Sequence, residues 1–213
     1  MDDLNIQVEA KHYFRPRYIH KERWINYWYQ LQAIFESKAS RILEIGIGNG
    51  LVLDTLRKVG IHVETVDIDP SLHPDIVASA VRLPMQNEAY DFVLCAEVLE
   101  HLPPDQVKAA LEEIFRVTRD CALITLPYAG SCITFTFKIP LLKKSEWILK
   151  IPHFWKKHVF DGQHYWEVGK QGFLQKDIQK MVEETGFLVQ RMSTHSDDPS
   201  HLFVLLKKNH SVS

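Results

Sequence analysis

Four clusters of residues in this chain have the types and spacing that chemistry uses. The first is Glu44-x-Gly46-x-Gly48-x-Gly50, directly after the apolar run that starts at Arg41. Glycines without a Cβ let backbone lie against a ligand. The pattern is not the dinucleotide fingerprint G-x-G-x-x-G, because its third glycine would fall on Leu51 or Leu53. It is not a phosphate-gripping loop either, since no Gly-Lys-Ser/Thr follows. The second cluster is Asp67 in VDIDP, about 20 residues past the loop, where a carboxylate can accept from both hydroxyls of a ribose. The third is Glu97-x-x-Glu100-His101, and the fourth is His164 in FDGQHYWEVG. Of 11 histidines, these two stand where an imidazole could serve as a base near neutral pH.

The elements that must position these residues alternate between strand and helix. Apolar residues at Trp24, Trp28, Leu31 and Phe35 predict a helix over Glu22–Ser37. Arg41–Ile45 reads as a buried strand, and Leu51–Val59 as a helix stopped by Gly60. Strands follow at His62–Asp67, Ile76–Ala80 and Asp91–Ala96. A helix over Asp105–Thr118 should face the core with Val107, Leu111, Ile114 and Val117, with a Glu112–Arg116 pair outside. Cys121–Leu126 is a fifth strand, and a long aromatic segment runs from Ser131 to about Gly172. A helix over Lys176–Thr185 and strands at Phe187–Met192 and His201–Lys207 close the chain. Such alternation predicts an α/β, doubly wound, mostly parallel seven-stranded sheet, with its sites at the carboxyl ends of the strands.

Bulk properties narrow the partners. The 213 residues suffice for one domain with its own core, and 46% hydrophobic with 24% charged residues is ordinary. A formal net charge of -2 gives no global electrostatic case for nucleic acid. Cys95, Cys121 and Cys132 form no CxxC pair, which points to reduced thiols and a cytoplasmic setting. The acidic, polar start MDDLNIQVEA does not read as a secretory signal, and no run is long and apolar enough to span a membrane.

With these residues in view, the glycine turn resembles the first motif of class I S-adenosylmethionine (SAM) methyltransferases. The stretch VRLPMQNEAYDFVLCAEVLEHLPP is similar to the LPF-x(5)-FD-x-V and EVLEH segments of the family that includes ubiquinone-pathway O-methyltransferases. The resemblance is strong over about Ala39–Leu126 and loose over the last two strands. It implies a Rossmann-like methyltransferase fold and a SAM cofactor, with S-adenosylhomocysteine as its product. It places Gly46, Gly48 and Glu44 at the methionyl end, Asp67 on the ribose and Ile68 on the adenine face. Backbone of Ala80 and Val81 would meet the adenine edge, and the carbonyl near Cys95 would take the ammonium. Many relatives carry Asp where this chain has Ser79, which weakens the acceptor for the adenine amino group.

The same resemblance implies methyl transfer to an oxygen or nitrogen, with His101 and His164 as catalytic candidates. Both are expected to line one cleft beside the cofactor sulfur, with Glu97 below them and without a metal. A second likeness, to small-RNA 2′-O-methyltransferases, would make Glu97, Glu100, His101 and His164 a metal set. Against it, EVLEH also occurs in relatives that need no metal, where Glu100 is solvated. Acceptor choice should lie outside the shared core, in a helical cap at 1–38 and an insertion at 131–172. The cap carries Tyr13, Phe14, Tyr18, Trp24, Tyr27, Trp28 and Tyr29 among basic residues. The insertion carries Lys138, Lys143, Lys144, Lys150, Lys156 and Lys157 against Glu146, mixed with Trp147, Phe154 and Trp155. It reads as a lid over the pocket, with peripheral membrane contact through 138–157 as the other reading. The expected acceptor is a small molecule or a glycan- or lipid-linked group, on a monomer or homodimer. The alternatives are a metal-assisted RNA-terminal 2′-O-methyltransferase and a SAM-binding interaction protein without catalysis.

Overall fold

In a computed structural model, residues 6–141 and 145–209 are described; Lys143 and Lys144, named above, lie outside them. Among the described residues, seven strands form one sheet in the order β3-β2-β1-β4-β5-β9-β8. The strands are β1 Arg41–Ile45, β2 His62–Asp67, β3 Ile76–Val77, β4 Tyr90–Ala96, β5 Thr118–Pro127, β8 Phe187–His195 and β9 Asp198–Lys208. The first five pair in parallel, while β9 runs antiparallel to both β5 and β8. Helices α1 Lys21–Ser37, α2 Leu51–Lys58, α3 Pro104–Val117 and α4 Gln175–Glu183 cover the two faces. The strand-period alternation shows why. On β1 and β4, Ile42, Phe92 and Leu94 pack toward α1 and α2, while Leu43, Val93 and Cys95 pack toward α3 and α4. Chain order reverses between β1 and β4, the position where such sheets open a crevice at their carboxyl ends.

Helix α3 buries Val107, Leu111, Ile114 and Val117 as their spacing requires. Its outer pair differs from expectation: Arg116 binds Glu113 at 2.7 Å, and Glu112 faces Lys108 at 3.9 Å. Arg116 turns away because its guanidinium also donates to the carbonyls of Leu83 and Met85, which lie on the loop before β4. Helix α1 forms where predicted but buries another face. Asn26, Tyr27, Gln30, Leu31, Ala33 and Ile34 point inward, while Trp24, Trp28 and Phe35 are exposed. The inward stripe passes through amides because Asn26 donates to the buried carboxylate of Asp198 at 3.2 Å. The aromatic segment after β5 is not irregular throughout. Gly130–Phe137 (β6) and Ser145–Pro152 (β7) pair as an antiparallel, two-stranded arm outside the main sheet.

Candidate functional site

The turn after β1 is built for close approach. Gly46 and Gly48 hold φ of 82° and 54°, and a Cβ on Gly46 would lie 2.3 Å from Val98 Cγ2. Asp67, at the end of β2, fixes the turn. Its two oxygens accept from the amides of Ile47 at 3.0 Å and Asp69 at 2.9 Å, which leaves a lone pair on each. Glu44 is buried behind the turn, with one carboxylate oxygen unpartnered. Burial pushes its pKa up to about 8, as the buried carboxylate lacks a compensating cation of its own among the described residues.

These residues border a cavity of about 730 Å³. Gly46, Gly48, Glu44, Asp67, Ile68, Ala80, Val81 and His101 all line it. Cys95 does not; it is wholly buried, and Ala96 and Glu97 present the end of β4 instead. The Ser79 hydroxyl accepts from the amide of Val81 at 3.4 Å, which steadies the short turn that replaces the rest of the expected third strand. From the cap, Tyr13, Tyr18, Arg23 and Tyr27 border the same cavity, whereas Phe14, Trp24 and Trp28 face outward. The Tyr13 ring lies over Gly48, 3.8 Å from where a Cβ would stand.

Beyond β4, Leu99–His101 makes a short 3-10 turn. A strap carrying HYW is stitched to it: Tyr165 N donates to Glu100 O at 2.9 Å, and Trp166 Nε1 donates to Leu102 O at 3.2 Å. This stitching brings His101 and His164 together, with ring centroids 5.0 Å apart and edge-on. Only His101 borders the cavity; His164 packs against it without reaching the lining. His101 Nδ1 lies 3.0 Å from Gln163 O. A carbonyl only accepts, so Nδ1 carries the proton and Nε2 keeps its lone pair. Burial lowers the His101 pKa and the neighbouring His164 adds to this, while the Gln163 carbonyl opposes it. Glu100 is not the solvated carboxylate expected of a site without a metal. It is wholly buried, both its carboxylate oxygens lack a hydrogen-bond partner, and burial followed by repulsion from Glu97 raises its pKa well above the carboxylate range. Ligand atoms of Glu100, His101 and His164 lie within 4.8 Å of one another.

Glu97 belongs to a different network, one that local motifs do not reveal. It holds a left-handed φ of 55°, and its carboxylate accepts from Thr125 Oγ1 at 2.9 Å. His201 Nε2 faces it at 3.5 Å, and His201 Nδ1 binds Asp198 at 2.5 Å. Burial pulls the His201 pKa down, but Glu97 and the Asp198 hydrogen bond outweigh it and leave it raised. A chain of polar contacts thus runs from Glu97 on the cavity wall through His201 and Asp198 on β9 to Asn26 on α1.

Strand order, the crevice between β1 and β4 and the glycine turn above Asp67 define the Rossmann-like fold of class I methyltransferases. Solved structures share it. An N1-methyltransferase from Burkholderia thailandensis, with 1,6-didemethyltoxoflavin and S-adenosylhomocysteine bound, has a TM-score of 0.59 at 14% identity over 86% of this chain and 77% of its own. The N-methyltransferase NodS of Bradyrhizobium japonicum, in complex with S-adenosylhomocysteine, gives 0.60 at 12% identity over 90% and 89%. The methyltransferase domain of a bacterial Hen1 gives 0.60 at 16% identity over 88% and 100%. At such identities the likeness is one of fold. No curated protein matches the sequence. Residues 43–125 match the family described as a methyltransferase domain. Over that segment the chain resembles the methyltransferase-domain family, and its fold is that of class I SAM-dependent methyltransferases.

Proposed function

We propose that the chain binds SAM in the β1–β4 crevice and transfers its methyl group to an oxygen or nitrogen of a small-molecule, glycan or lipid-linked acceptor. The observation that carries this reading is the convergence of Glu44, the Gly46–Gly48 turn and Asp67 on one cavity. The residues fit the cofactor. Glu44 offers an unpartnered buried oxygen to an ammonium, Asp67 has a lone pair on each oxygen for ribose hydroxyls, and a side chain at Gly46 would collide with Val98. Ile68 and the backbone of Ala80 and Val81 would flank the adenine, and backbone at the end of β4 next to Cys95 would meet the methionyl group. When bound, SAM supplies an electrophilic methyl on a sulfonium. The protein then has to place an acceptor in line and keep water out. Tyr13, Tyr18 and Tyr165 border the cavity and would wall off the acceptor, and His101, whose Nδ1 is held by Gln163 O, would take a proton from it through Nε2. Asp67→Ala should weaken S-adenosylhomocysteine by about 1.5–3 kcal/mol, the cost of losing charge-assisted hydrogen bonds. Calorimetric titration measures it; wild-type affinity in that variant would move the ribose site elsewhere.

A second reading has its own observation. The unpartnered, buried carboxylate of Glu100, beside two imidazoles, suits a divalent cation that polarises an acceptor hydroxyl. The Nδ1 bond of His101 to Gln163 O is the outer contact that orients a ligating imidazole. Under this reading Mn²⁺ binds the wild type, Glu100→Gln weakens it at least tenfold, and turnover needs the ion. Turnover unchanged by chelator, with no Mn²⁺ bound in calorimetry, leaves His101 as a base. RNA as acceptor is disfavoured by the net charge of -2.

A further inference from the structure

The β6–β7 arm is amphipathic in the reverse of the usual sense. Directly opposed residues share a face, so Ile133, Phe135 and Phe137 stand with Ile151, Leu149 and Trp147 on one side. All six are exposed, from 42% for Ile151 to 69% for Trp147. The other side carries Cys132, Thr134, Thr136, Glu146, Ile148 and Lys150. That mostly polar side is the one fastened to the domain. Lys150 Nζ donates to Tyr128 O at 2.8 Å and Pro199 O at 2.7 Å, and Ser196 donates to Glu146. A two-stranded ribbon is marginal in water by itself, and this one turns its apolar side away from its own core. Such a face marks an interaction surface.

Charge says what covers it. In sequence β6 and β7 are joined by KIPLLKK, and of its described residues Ile139 and Leu141 are exposed beside Lys138. Past the other end, Phe154, Trp155, Lys156 and Lys157 are exposed as well. Lys143 and Lys144 add two positive charges by sequence, and Glu146 is the lone acid over 130–157. Pairing of two such arms would set lysines against lysines. An anionic bilayer instead accepts apolar side chains, aromatic rings and lysines together, each at its own depth. We propose that the arm is a membrane-docking surface that lays its Phe135–Phe137–Trp147 face into the headgroup region of an anionic bilayer. The arm leaves the sheet at the carboxyl end of β5, the edge on which the cavity opens, so docking sets that edge toward the lipid. The inference does not depend on methyl transfer.

The test is flotation of the full chain with phosphatidylcholine vesicles, with and without phosphatidylglycerol. The wild type should float with the anionic vesicles, partition at least tenfold less onto neutral ones, and be released by salt. Trp147 fluorescence should shift to the blue on binding. Phe135→Thr/Phe137→Thr/Leu149→Thr, which keeps Trp147 as the probe, should lose both behaviours. Lys138→Gln/Lys156→Gln/Lys157→Gln leaves the ribbon pairing intact, so its effect is free of misfolding; it should weaken anionic binding by about a hundredfold, roughly fivefold per lysine. Absence of wild-type flotation with anionic vesicles overturns the proposal. So does equal binding by the lysine variant, or a stable dimer in sedimentation that the apolar variant dissolves.

Discussion

His101→Ala is expected to lower kcat by about 10²–10⁴-fold, the contribution of a positioned general base, while S-adenosylhomocysteine affinity stays within about twofold. The separation follows from placement. His101 borders the cavity from the turn beyond β4, whereas the proposed cofactor contacts come from β1, β2, the loop after β3 and backbone at the end of β4, none of them the His101 side chain. The pH dependence has a definite sign. Only the neutral imidazole can take a proton, so activity falls as pH drops through the His101 pKa. Burial, then His164, hold that pKa below the ordinary histidine value, against the Gln163 carbonyl, Glu97 and Asp161. The acid limb should therefore lie below about 6.5. His164→Asn removes one lowering influence and should move the limb to higher pH with kcat at its plateau little changed. A full pH–rate profile of wild type and both variants checks this. Undiminished kcat in His101→Ala would leave the acceptor proton without a base here.

Much of this arrangement was legible in the sequence, and the reasons are local. The glycine turn, the Asp67 strand end and the EVLEH turn are short motifs whose meaning depends on strand-to-helix context, and the apolar runs of β1 and β4 supplied that context. What escaped depended on contacts between distant residues. The buried face of α1 follows Asn26 and Gln30 rather than Trp24 and Trp28 because Asn26 meets Asp198, 172 positions away. His201 sits on an antiparallel strand with no motif around it, so nothing near it in sequence connects it to Glu97. Glu100 is expected to be solvated where no metal is bound; in the fold it is wholly buried, in a turn whose backbone the strap is bonded to. The arm is another case. Ile133, Phe135 and Phe137 alternate at strand period, as do Trp147, Leu149 and Ile151, and this signal could have predicted a hairpin where the lysine content drew attention to a lid.

Asp198→Ala is expected to destabilise the fold by about 3 kcal/mol, the lower end of the range for breaking a buried charged pair. Asp198 is wholly buried and binds both His201 and Asn26. Removing it leaves the His201 ring and the Asn26 amide facing a small void, while Glu97 still faces the ring at 3.5 Å. For a chain of this size the melting midpoint should fall by roughly 6–12 °C. The pH signature separates charge loss from simple cavity formation. The His201 pKa is raised in the folded state, so its stabilisation is present in full below the unfolded histidine value of about 6.5 and is lost as pH rises through the folded value. Wild-type stability should decline over that window. In Asp198→Asn the hydrogen bond to His201 can persist without the charge, so the loss at low pH should be smaller than for alanine and the decline with pH shallower. Denaturant unfolding at several pH values measures both. An alanine variant whose stability falls with pH as steeply as the wild type would mean that Glu97 alone holds the His201 proton, and that Asp198 serves mainly to anchor α1 through Asn26.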